Sequence, residues 1–309
     1  MGISAGLGIA NFPFEDTRGF WRWVDLCEAG GVDSLWQSDR IISPEPHLEC
    51  MSVMAALAGG TKRIKFGMNV ASLGLRDPVL TAKSCATIDV LSDGRLLPAF
   101  GVGSALSRDY AATNTPTQGR GNRSAEGLEI ISRLWQETDV TFEGKYYQLD
   151  RATIAPRPVQ NPLPLWVGGS APAAVDRTAR WGTGWQAGIE SPMQVAPVIA
   201  AIKETLPKYN RTIDDDHFGA GFAFRFGDRD DPIIKRYEEM LQKRLNHEPK
   251  DLYAVGNSKD ILSLAAKFHR AGVHKFILRP IASDAEDMIR QTKLLIEQTL
   301  PDFKGISTM

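Results

Sequence analysis

The chain has 309 residues, a net charge of −1, and acidic and basic residues interspersed along its length. This length suits one large α/β barrel, and the balanced charge argues against a nucleic-acid partner or an anionic membrane surface, so we expect a small-molecule partner. The three scattered cysteines, Cys27, Cys50 and Cys85, predict buried thiols in a reducing compartment rather than a disulfide framework or a metal site. No basic leader precedes the first apolar segment and no apolar run approaches about 20 residues, so we expect a cytoplasmic protein without a membrane span.

Eight mostly apolar runs predict β-strands, and each is followed by a helical pattern. In chain order they cover residues 3–10, 32–38, 64–73, 95–102, 163–167, 184–187, 218–226 and 275–281. Continuous apolar runs are typical of parallel strands that are covered on both faces. Eight βα units in a chain of this length predict an α/β fold, a (β/α)8 TIM barrel that forms one domain over residues 1–309.

Two insertions are predicted, after strands four and seven. Residues 139–160 have the pattern of a hairpin with its turn at Glu143-Gly144. A charged helix is predicted over residues 232–245, where it forms either a lid or a surface excursion. The alternative fold is a doubly wound sheet, but Leu106 stands where the dinucleotide fingerprint that begins at Gly101 needs its third glycine.

The fifth predicted strand ends in Gly168-Gly169-Ser170, and a helix starts at once. Two glycines let a ligand approach the backbone closely, and Ser170 can cap the helix. The free amides of the first helical turn and the positive end of the helix dipole favour a phosphate. The segment therefore predicts a site for a phosphorylated cofactor; the alternative is a tight turn with an ordinary N-cap.

The other predicted strand ends are rich in glycine and poor in acids and histidines. Such a set indicates that a cofactor carries the chemistry while the protein positions it. His47, in the loop after the second strand, is a candidate for proton transfer because imidazole side chains change charge near neutral pH. A solvated loop histidine is the alternative interpretation.

An ordered set of motifs along nearly the whole chain resembles the bacterial luciferase-like family. The motifs are Trp36-Gln37-Ser38-Asp39-Arg40, Gly67 to Val70, Leu75 to Pro78, Leu91 to Arg95, Phe100 to Gly103, Leu134-Trp135, Trp166 to Ser170 and Phe276 to Pro280. The resemblance implies a TIM barrel, usually a homodimer, that binds FMN or the deazaflavin F420 at its strand ends.

Three functions follow from this resemblance. The leading one is a monooxygenase that uses reduced FMN, supplied by a separate flavin reductase, and O2 on a small organic substrate. The alternative enzyme is an F420-dependent reductase or dehydrogenase. The alternative outside the enzymes is a flavin-binding protein or an inactive partner subunit.

The resemblance also implies roles for residues of the cofactor site. The loop that wraps the FMN phosphate corresponds to Gly169, Ser170 and Ala171, although Ala173 stands where luciferase subunits carry a threonine. The Asn69-Val70 peptide matches a position at which the family often holds a cis bond against the flavin ring. The alternative is an ordinary trans strand.

Four further positions complete the predicted site. Ser104 and Leu106 align with backbone contacts to the ring, and F420-dependent sugar-phosphate dehydrogenases carry an acid in place of Leu106. Arg40 replaces a histidine that is common in relatives; it cannot act as a base but can stabilise an anion, or it pairs with Asp39 or Glu45. Arg279, at the end of strand eight, faces the phosphate or pairs with a nearby acid.

Overall fold

The computed structural model describes residues 2–9, 11, 13, 15–245 and 249–308. Ala10, the last residue of the first predicted strand, lies outside the described residues. The chain divides into two compact units. The first comprises Met1–Trp36, Ala187–Ala200 and Asp214–Met309, and the second comprises Gln37–Gln186 and Ala201–Ile213.

The strands and helices of the described residues alternate along the chain. The strands are β1 (Ser4–Ile9), β2 (Ser34–Gln37), β3 (Lys65–Met68), β4 (Ala71–Ser72), β5 (Leu96–Leu97), β6 (Ala99–Gly101), β7 (Val140–Glu143), β8 (Gln148–Ala152), β9 (Trp166–Gly168), β10 (Gly184–Gln186), β11 (Phe218–Ala220), β12 (Ala223–Phe226), β13 (Tyr253–Gly256) and β14 (Lys275–Pro280). The α-helices are α1 (Thr17–Ala29), α2 (Cys50–Gly60), α3 (Pro78–Leu91), α4 (Arg108–Ala112), α5 (Arg120–Gln136), α6 (Pro172–Trp181), α7 (Pro192–Thr205), α8 (Pro232–Leu245), α9 (Ser258–Arg270) and α10 (Ala285–Gln298). Short 3₁₀ segments cover Leu73–Leu75, Leu206–Tyr209, Asp215–His217 and Leu300–Thr308.

The first unit is built on parallel strand pairs. β1 pairs with β14, which also pairs with β11 and β12, and β12 pairs with β13. The predicted strand 218–226 is therefore two strands, and they separate at Gly221, which lies directly against the Ile277 carbonyl. β13 was not predicted.

Helix α1 shows how the first unit closes around its core. The Asp16 side chain accepts a hydrogen bond from the Gly19 amide and starts the helix. The predicted apolar stripe is buried, and it consists of Phe20, Trp23, Val24 and Cys27. The Trp23 indole N–H donates to Thr292 Oγ1 of α10 at 2.8 Å, so this buried polar group is satisfied.

The helix predicted after strand seven is confirmed as α8. Its residues Ile234 and Leu241 are buried, and Ile234 packs in one cluster with Ala223 of β12 and Val255 of β13. α8 therefore packs firmly on the first unit.

A buried ion network ties the strand β12 to α10. The Arg225 guanidinium donates to Asp287 Oδ2 at 2.7 Å and to Asp231 Oδ2 at 2.8 Å. Burial alone would raise the pKa of Asp287, but the hydrogen bonds from Arg225 and from the Ser283 amide hold it below its ordinary value of 3.8.

The second unit also contains parallel strand pairs. β3 pairs with β5, and a second series runs from β4 through β6 and β9 to β10. The predicted strand 64–73 is divided between β3 and β4, and the peptide between them, Asn69-Val70, is cis. The predicted hairpin is confirmed as the antiparallel pair of β7 and β8.

The predicted state of the cysteines is also confirmed, because all three are free and buried. Among the described residues, we find no helix whose length and apolar character would let it cross a bilayer.

Candidate cofactor and active site

The loop between β9 and α6 shapes one end of the candidate site, but differently from the prediction. The N-cap of α6 is Ala171, without a side-chain cap bond, so the prediction that Ser170 caps the helix is wrong. Gly169 has a φ of 110°, a conformation that favours glycine. A side chain on Gly168 would meet Val70 Cγ2 at 2.9 Å, so this glycine makes room for Val70, and its predicted contact with the cofactor stays a prediction.

The Ser170 hydroxyl does not cap α6, and its hydrogen-bonding capacity is unsatisfied. Its Oγ is buried and has no hydrogen-bond partner among the described residues. In the next turn of the helix, the Arg177 side chain is also buried, with 9% of the residue exposed. No carboxylate or carbonyl group in the described part of the chain accepts a hydrogen bond from Arg177. Burial lowers the pKa of Arg177, and the neighbouring Asp176 carboxylate opposes that shift.

Arg177 lines a narrow cleft whose other walls come from β6, β9 and α5. Gly101 and Gly168 lie on its strand side, and Ser124 and Leu128 lie on its helix side. The Ser124 hydroxyl is buried without a partner in the described structure. A buried guanidinium and unsatisfied hydroxyls near the start of α6 are suited to a phosphate, which accepts several charge-assisted hydrogen bonds.

Arg177 also bears on the missing threonine of the phosphate loop. Ala173 lacks the hydroxyl that the family resemblance led us to expect, and Arg177 lies four residues later on the same helix. Residues i and i+4 share a helix face. Arg177 therefore places a cationic hydrogen-bond donor on the same stretch of helix as Ala173, which has no hydroxyl.

The Asn69-Val70 peptide lies next to this cleft, as the prediction placed it. The Val70 side chain packs where side chains on Gly101 and Gly168 would otherwise lie. The Asn69 amide donates to the Gln37 carbonyl at 2.8 Å, which brings the end of β2 alongside this peptide. A flat ring attached to the phosphate would lie along this path, from Ser170 past Val70 towards the end of β2.

His47 is brought to the same end of β2. Its Nε2 atom lies 3.0 Å from Ser38 Oγ and 3.1 Å from the Ser38 carbonyl oxygen. Ser38 follows Gln37 directly, so His47 lies beside the segment that contacts Asn69. The imidazole is half-buried, which leaves it accessible to a small molecule.

The loop that carries His47 is closed by one arginine. Arg76 donates to both carboxylate oxygens of Asp39, at 2.7 and 2.8 Å, and to Glu49 Oε1 at 3.1 Å. Burial alone would lower the pKa of Arg76, but the hydrogen bonds to Asp39 and Glu49 raise it above the usual range. Asp39 Oδ2 also accepts the Ser72 amide at 2.8 Å, so residues 38–49 form a loop with both ends fixed.

Asp39, Glu49 and Cys50 stand close enough together to bind a metal ion. Arg76 already occupies the centre of this group, because its guanidinium contacts both carboxylates and lies 3.5 Å from the Cys50 sulfur. Burial raises the pKa of the Cys50 thiol well above its ordinary value, and Asp39 adds to that shift. The group is therefore a salt-bridge cluster in which Arg76 supplies the cation.

Arg40 is exposed and makes no ion pair among the described residues. Asp39, one of the two partners considered for it, pairs with Arg76 instead. Ser104 and Leu106 are exposed in the turn before α4, where the Leu106 amide donates to Ser104 Oγ at 3.2 Å. Leu106 itself is 94% exposed. Their predicted contacts with a ring stay predictions.

Arg279 lies in the first unit, at the end of β14. Burial raises the pKa of Tyr237 on α8, and the positive charge of Arg279 opposes that shift, so Arg279 lies near a phenol. The predicted phosphate contact of Arg279 also stays a prediction.

The sequence analysis missed Arg177, Ser124, Ser38 and Arg76. For Arg177 a signal was present, since it falls three residues after Ala174 on the buried face of α6. A charged residue on the apolar stripe of a short helix is a candidate for a ligand contact.

Comparisons with known proteins identify the family of the chain. A search with protein-family models matches residues 4–293 to the luciferase-like monooxygenases. An F420-dependent glucose-6-phosphate dehydrogenase of Kineococcus radiotolerans is 32% identical over 194 residues, which are 60% of this chain and 57% of that protein. An F420-dependent glucose-6-phosphate dehydrogenase of Microbacterium testaceum is 29% identical over 265 residues, 79% of this chain and 76% of that protein.

The fold has a counterpart among solved structures. The monooxygenase RslO1 from Streptomyces bottropensis superposes with a TM-score of 0.84 at 19% identity, over 97% of this chain and 100% of that chain. This likeness confirms the predicted fold class, the α/β TIM barrel of the luciferase-like enzymes. Because the family model matches almost the whole chain, the protein belongs to the luciferase-like monooxygenase family.

Proposed function

We propose that this chain is an oxidoreductase that uses coenzyme F420 and holds its phosphate between Ser170 and Arg177. The observation that carries this proposal is the buried Arg177 guanidinium, which has no acceptor among the described residues. A buried charge without a partner is costly, and an anionic ligand removes that cost.

The choice of F420 is supported by the relatives. The dehydrogenases of Kineococcus radiotolerans and Microbacterium testaceum described above are both named as F420-dependent. When bound, a deazaflavin supplies chemistry as a two-electron hydride carrier. The residues of this chain bind the phosphate at Ser170, support the ring at Val70 and exclude water through the apolar walls of the cleft.

Glucose 6-phosphate is not the proposed substrate. The family resemblance assigns an acidic residue of the sugar-phosphate dehydrogenases to the position of Leu106, which here is an exposed leucine. Arg40 also replaces the histidine that is common in relatives. We therefore propose hydride transfer with a different small organic molecule.

An FMN-dependent monooxygenase is the second candidate, in which a separate flavin reductase supplies reduced FMN and O2 oxidises the substrate. Leu106 favours it, because this position holds no acid. The likeness to RslO1 supports the same reaction class. The Ser170 and Arg177 site accommodates the terminal phosphate of FMN as readily as the phosphodiester of F420.

We propose that the protein acts in the cytoplasm as a homodimer. Support for a dimer comes from α3, where Leu80 is 67% exposed and Leu91 is 66% exposed. Large exposed apolar side chains are typical of surfaces that associate. Analytical ultracentrifugation tests this assignment, and a monomer at micromolar concentration would refute it.

Cofactor choice is tested by titrating the protein with F420 and with FMN while following quenching of its tryptophan fluorescence. We expect tight binding of F420, and R177Q should weaken it by roughly tenfold to a hundredfold, about 1.5–3 kcal/mol for a hydrogen bond to a charged group. The matched control is R180Q on the same helix, since Arg180 is 48% exposed and pairs with Glu129. If the protein binds FMN but not F420, the FMN-dependent monooxygenase becomes the favoured function. If R177Q binds the cofactor as tightly as the wild type, Arg177 does not bind the phosphate.

Turnover separates an enzyme from a flavin-binding protein or an inactive partner subunit. We expect the F420-loaded protein to oxidise reduced F420 in the presence of a suitable organic acceptor. Protein that binds F420 or FMN but shows no turnover with either cofactor would support the non-enzymatic alternative.

A further inference from the structure

The Ser38 and His47 pair lies at the end of β2 and has no role in binding the phosphate. Ser38 is joined to Gln37, whose carbonyl oxygen accepts the Asn69 amide at 2.8 Å. The pair therefore lies beside the peptide along which the cofactor ring is proposed to bind.

The two contacts of His47 Nε2 determine which ring nitrogen exchanges a proton. The Ser38 carbonyl oxygen, 3.1 Å away, can only accept a hydrogen bond, so Nε2 carries the hydrogen. The Ser38 hydroxyl, 3.0 Å away, accepts from the same N–H. Nδ1 then keeps its lone pair, and it has no partner in the part of the chain that the structure describes. A proton can be gained or lost at Nδ1 while the bonds to Ser38 persist.

The loop around His47 is fixed, which satisfies a second requirement of proton transfer. Arg76 binds Asp39 at one end of the loop and Glu49 at the other. In the middle, the Ile42 amide donates to Asp109 at 2.7 Å. The charged groups around the imidazole are therefore Arg40 and Glu45 on the loop, the Asp39, Glu49 and Arg76 cluster, and Asp109 of α4.

Other side chains near this position are poor candidates for the same role. Arg40 cannot deprotonate near neutral pH, and Leu106 has no titratable group. Cys50 is fully buried, and burial raises the pKa of its thiol well above its ordinary value.

We propose that His47 is the proton-transfer residue of this site, that Ser38 positions it, and that the substrate is a carbonyl compound or the corresponding alcohol. This rests on the proposed F420-dependent function. In the reducing direction the carbonyl carbon accepts a hydride from the reduced cofactor, and the oxygen takes the Nδ1 proton of the imidazolium form of His47, which leaves a neutral imidazole with its hydrogen on Nε2. A C–H and an O–H bond form, the C=O π bond breaks, the cofactor is oxidised, and the imidazole regains a proton from solvent.

The assignment of the ring nitrogens is tested without cofactor by ¹⁵N NMR of histidine-labelled full-length protein across a pH titration. We expect the neutral ring of His47 to carry its hydrogen on Nε2, and we expect S38A to weaken that preference. A neutral His47 with its hydrogen on Nδ1 would overturn the proposal, because Nε2 would then accept from the Ser38 hydroxyl.

The role in turnover is tested by the oxidation of reduced F420 with acetone, cyclohexanone and benzaldehyde. H47Q should lower kcat by roughly 10²–10⁴-fold without changing the affinity for F420, and added imidazole should restore part of the rate to H47A. The matched control is H217Q, since His217 is a partly exposed histidine of the first unit.

Two results would overturn the proposal. H47Q with the wild-type rate would remove His47 from the reaction. Wild-type protein that binds F420 but reduces none of the three carbonyl compounds would remove the carbonyl substrate class. Failure of F420 to bind would instead refute the proposed function, and the NMR assignment of the ring nitrogens would stand independently.

Discussion

Replacing Arg177 by methionine should stabilise the protein in the absence of cofactor. Arg177 is 9% exposed as a residue, and its guanidinium has no hydrogen-bond acceptor among the described residues, whereas the methionine side chain fills a similar volume without a charge. Leaving a buried polar group unsatisfied costs about 1–3 kcal/mol. An unfolding entropy of about 2.1 cal/mol/K per residue over 309 residues converts that free energy into a rise in Tm of roughly 1.5–5 °C.

The assay is differential scanning calorimetry of the cofactor-free wild type, R177M and the control R180M. Arg180 is exposed on the same helix, so its replacement should change the stability by less than about 0.5 kcal/mol. Inorganic phosphate should raise the Tm of the wild type and leave that of R177M unchanged. A fall in Tm for R177M would refute the reasoning, because it would show that Arg177 already has a stabilising partner in the folded protein.

Three other outcomes follow from the geometry. D287N should destabilise the protein by about 3–5 kcal/mol in urea denaturation, since it leaves Arg225 partly unpaired in a buried site, and wild-type stability would contradict this. The pKa of Asp287 is lower in the folded protein than its ordinary 3.8. The contribution of Asp287 to the free energy of unfolding is therefore complete above about pH 3.8 and is lost as the pH falls through the folded pKa. The urea midpoint of the wild type should fall in this pH range, and D287N should lack that fall. G168A should lower the free energy of unfolding by about 1–3 kcal/mol and weaken cofactor binding, because the new methyl meets Val70 Cγ2 at 2.9 Å. The control G59A has open space around the new methyl and should leave cofactor binding unchanged. Equal cofactor binding in both variants would contradict the packing argument.

Local patterns predicted most of the fold. Apolar runs located the parallel strands, and the turn at Glu143-Gly144 located the hairpin, because both are set by residues close together in the chain. β13 was not predicted, because only Ala254 and Val255 of its four residues are buried. Two apolar residues are too short a run to indicate a strand. Its place depends on pairing with β12, which is distant in sequence.

The candidate site was only partly predictable for a similar reason. The glycines and the serine at the end of β9 marked the loop proposed to bind the phosphate, but the predicted cap, Ser170, is one residue away from the observed N-cap, Ala171. Arg177 stands three residues after Ala174 on the apolar face of α6, but whether an arginine there is buried depends on the neighbouring helix. The contact between Ser38 and His47 spans a loop without periodicity, and no sequence pattern reports it.

The Arg76 clamp has a consequence for how this protein can change. Both ends of the loop, at Asp39 and Glu49, are held by one guanidinium that is itself fixed by the Ser72 carbonyl. The residues between them can therefore vary in size and charge while the frame that anchors them stays in place. Apart from His47, residues 40–48 form an exchangeable segment, and a library confined to these positions should yield folded variants that differ in the molecules they accept.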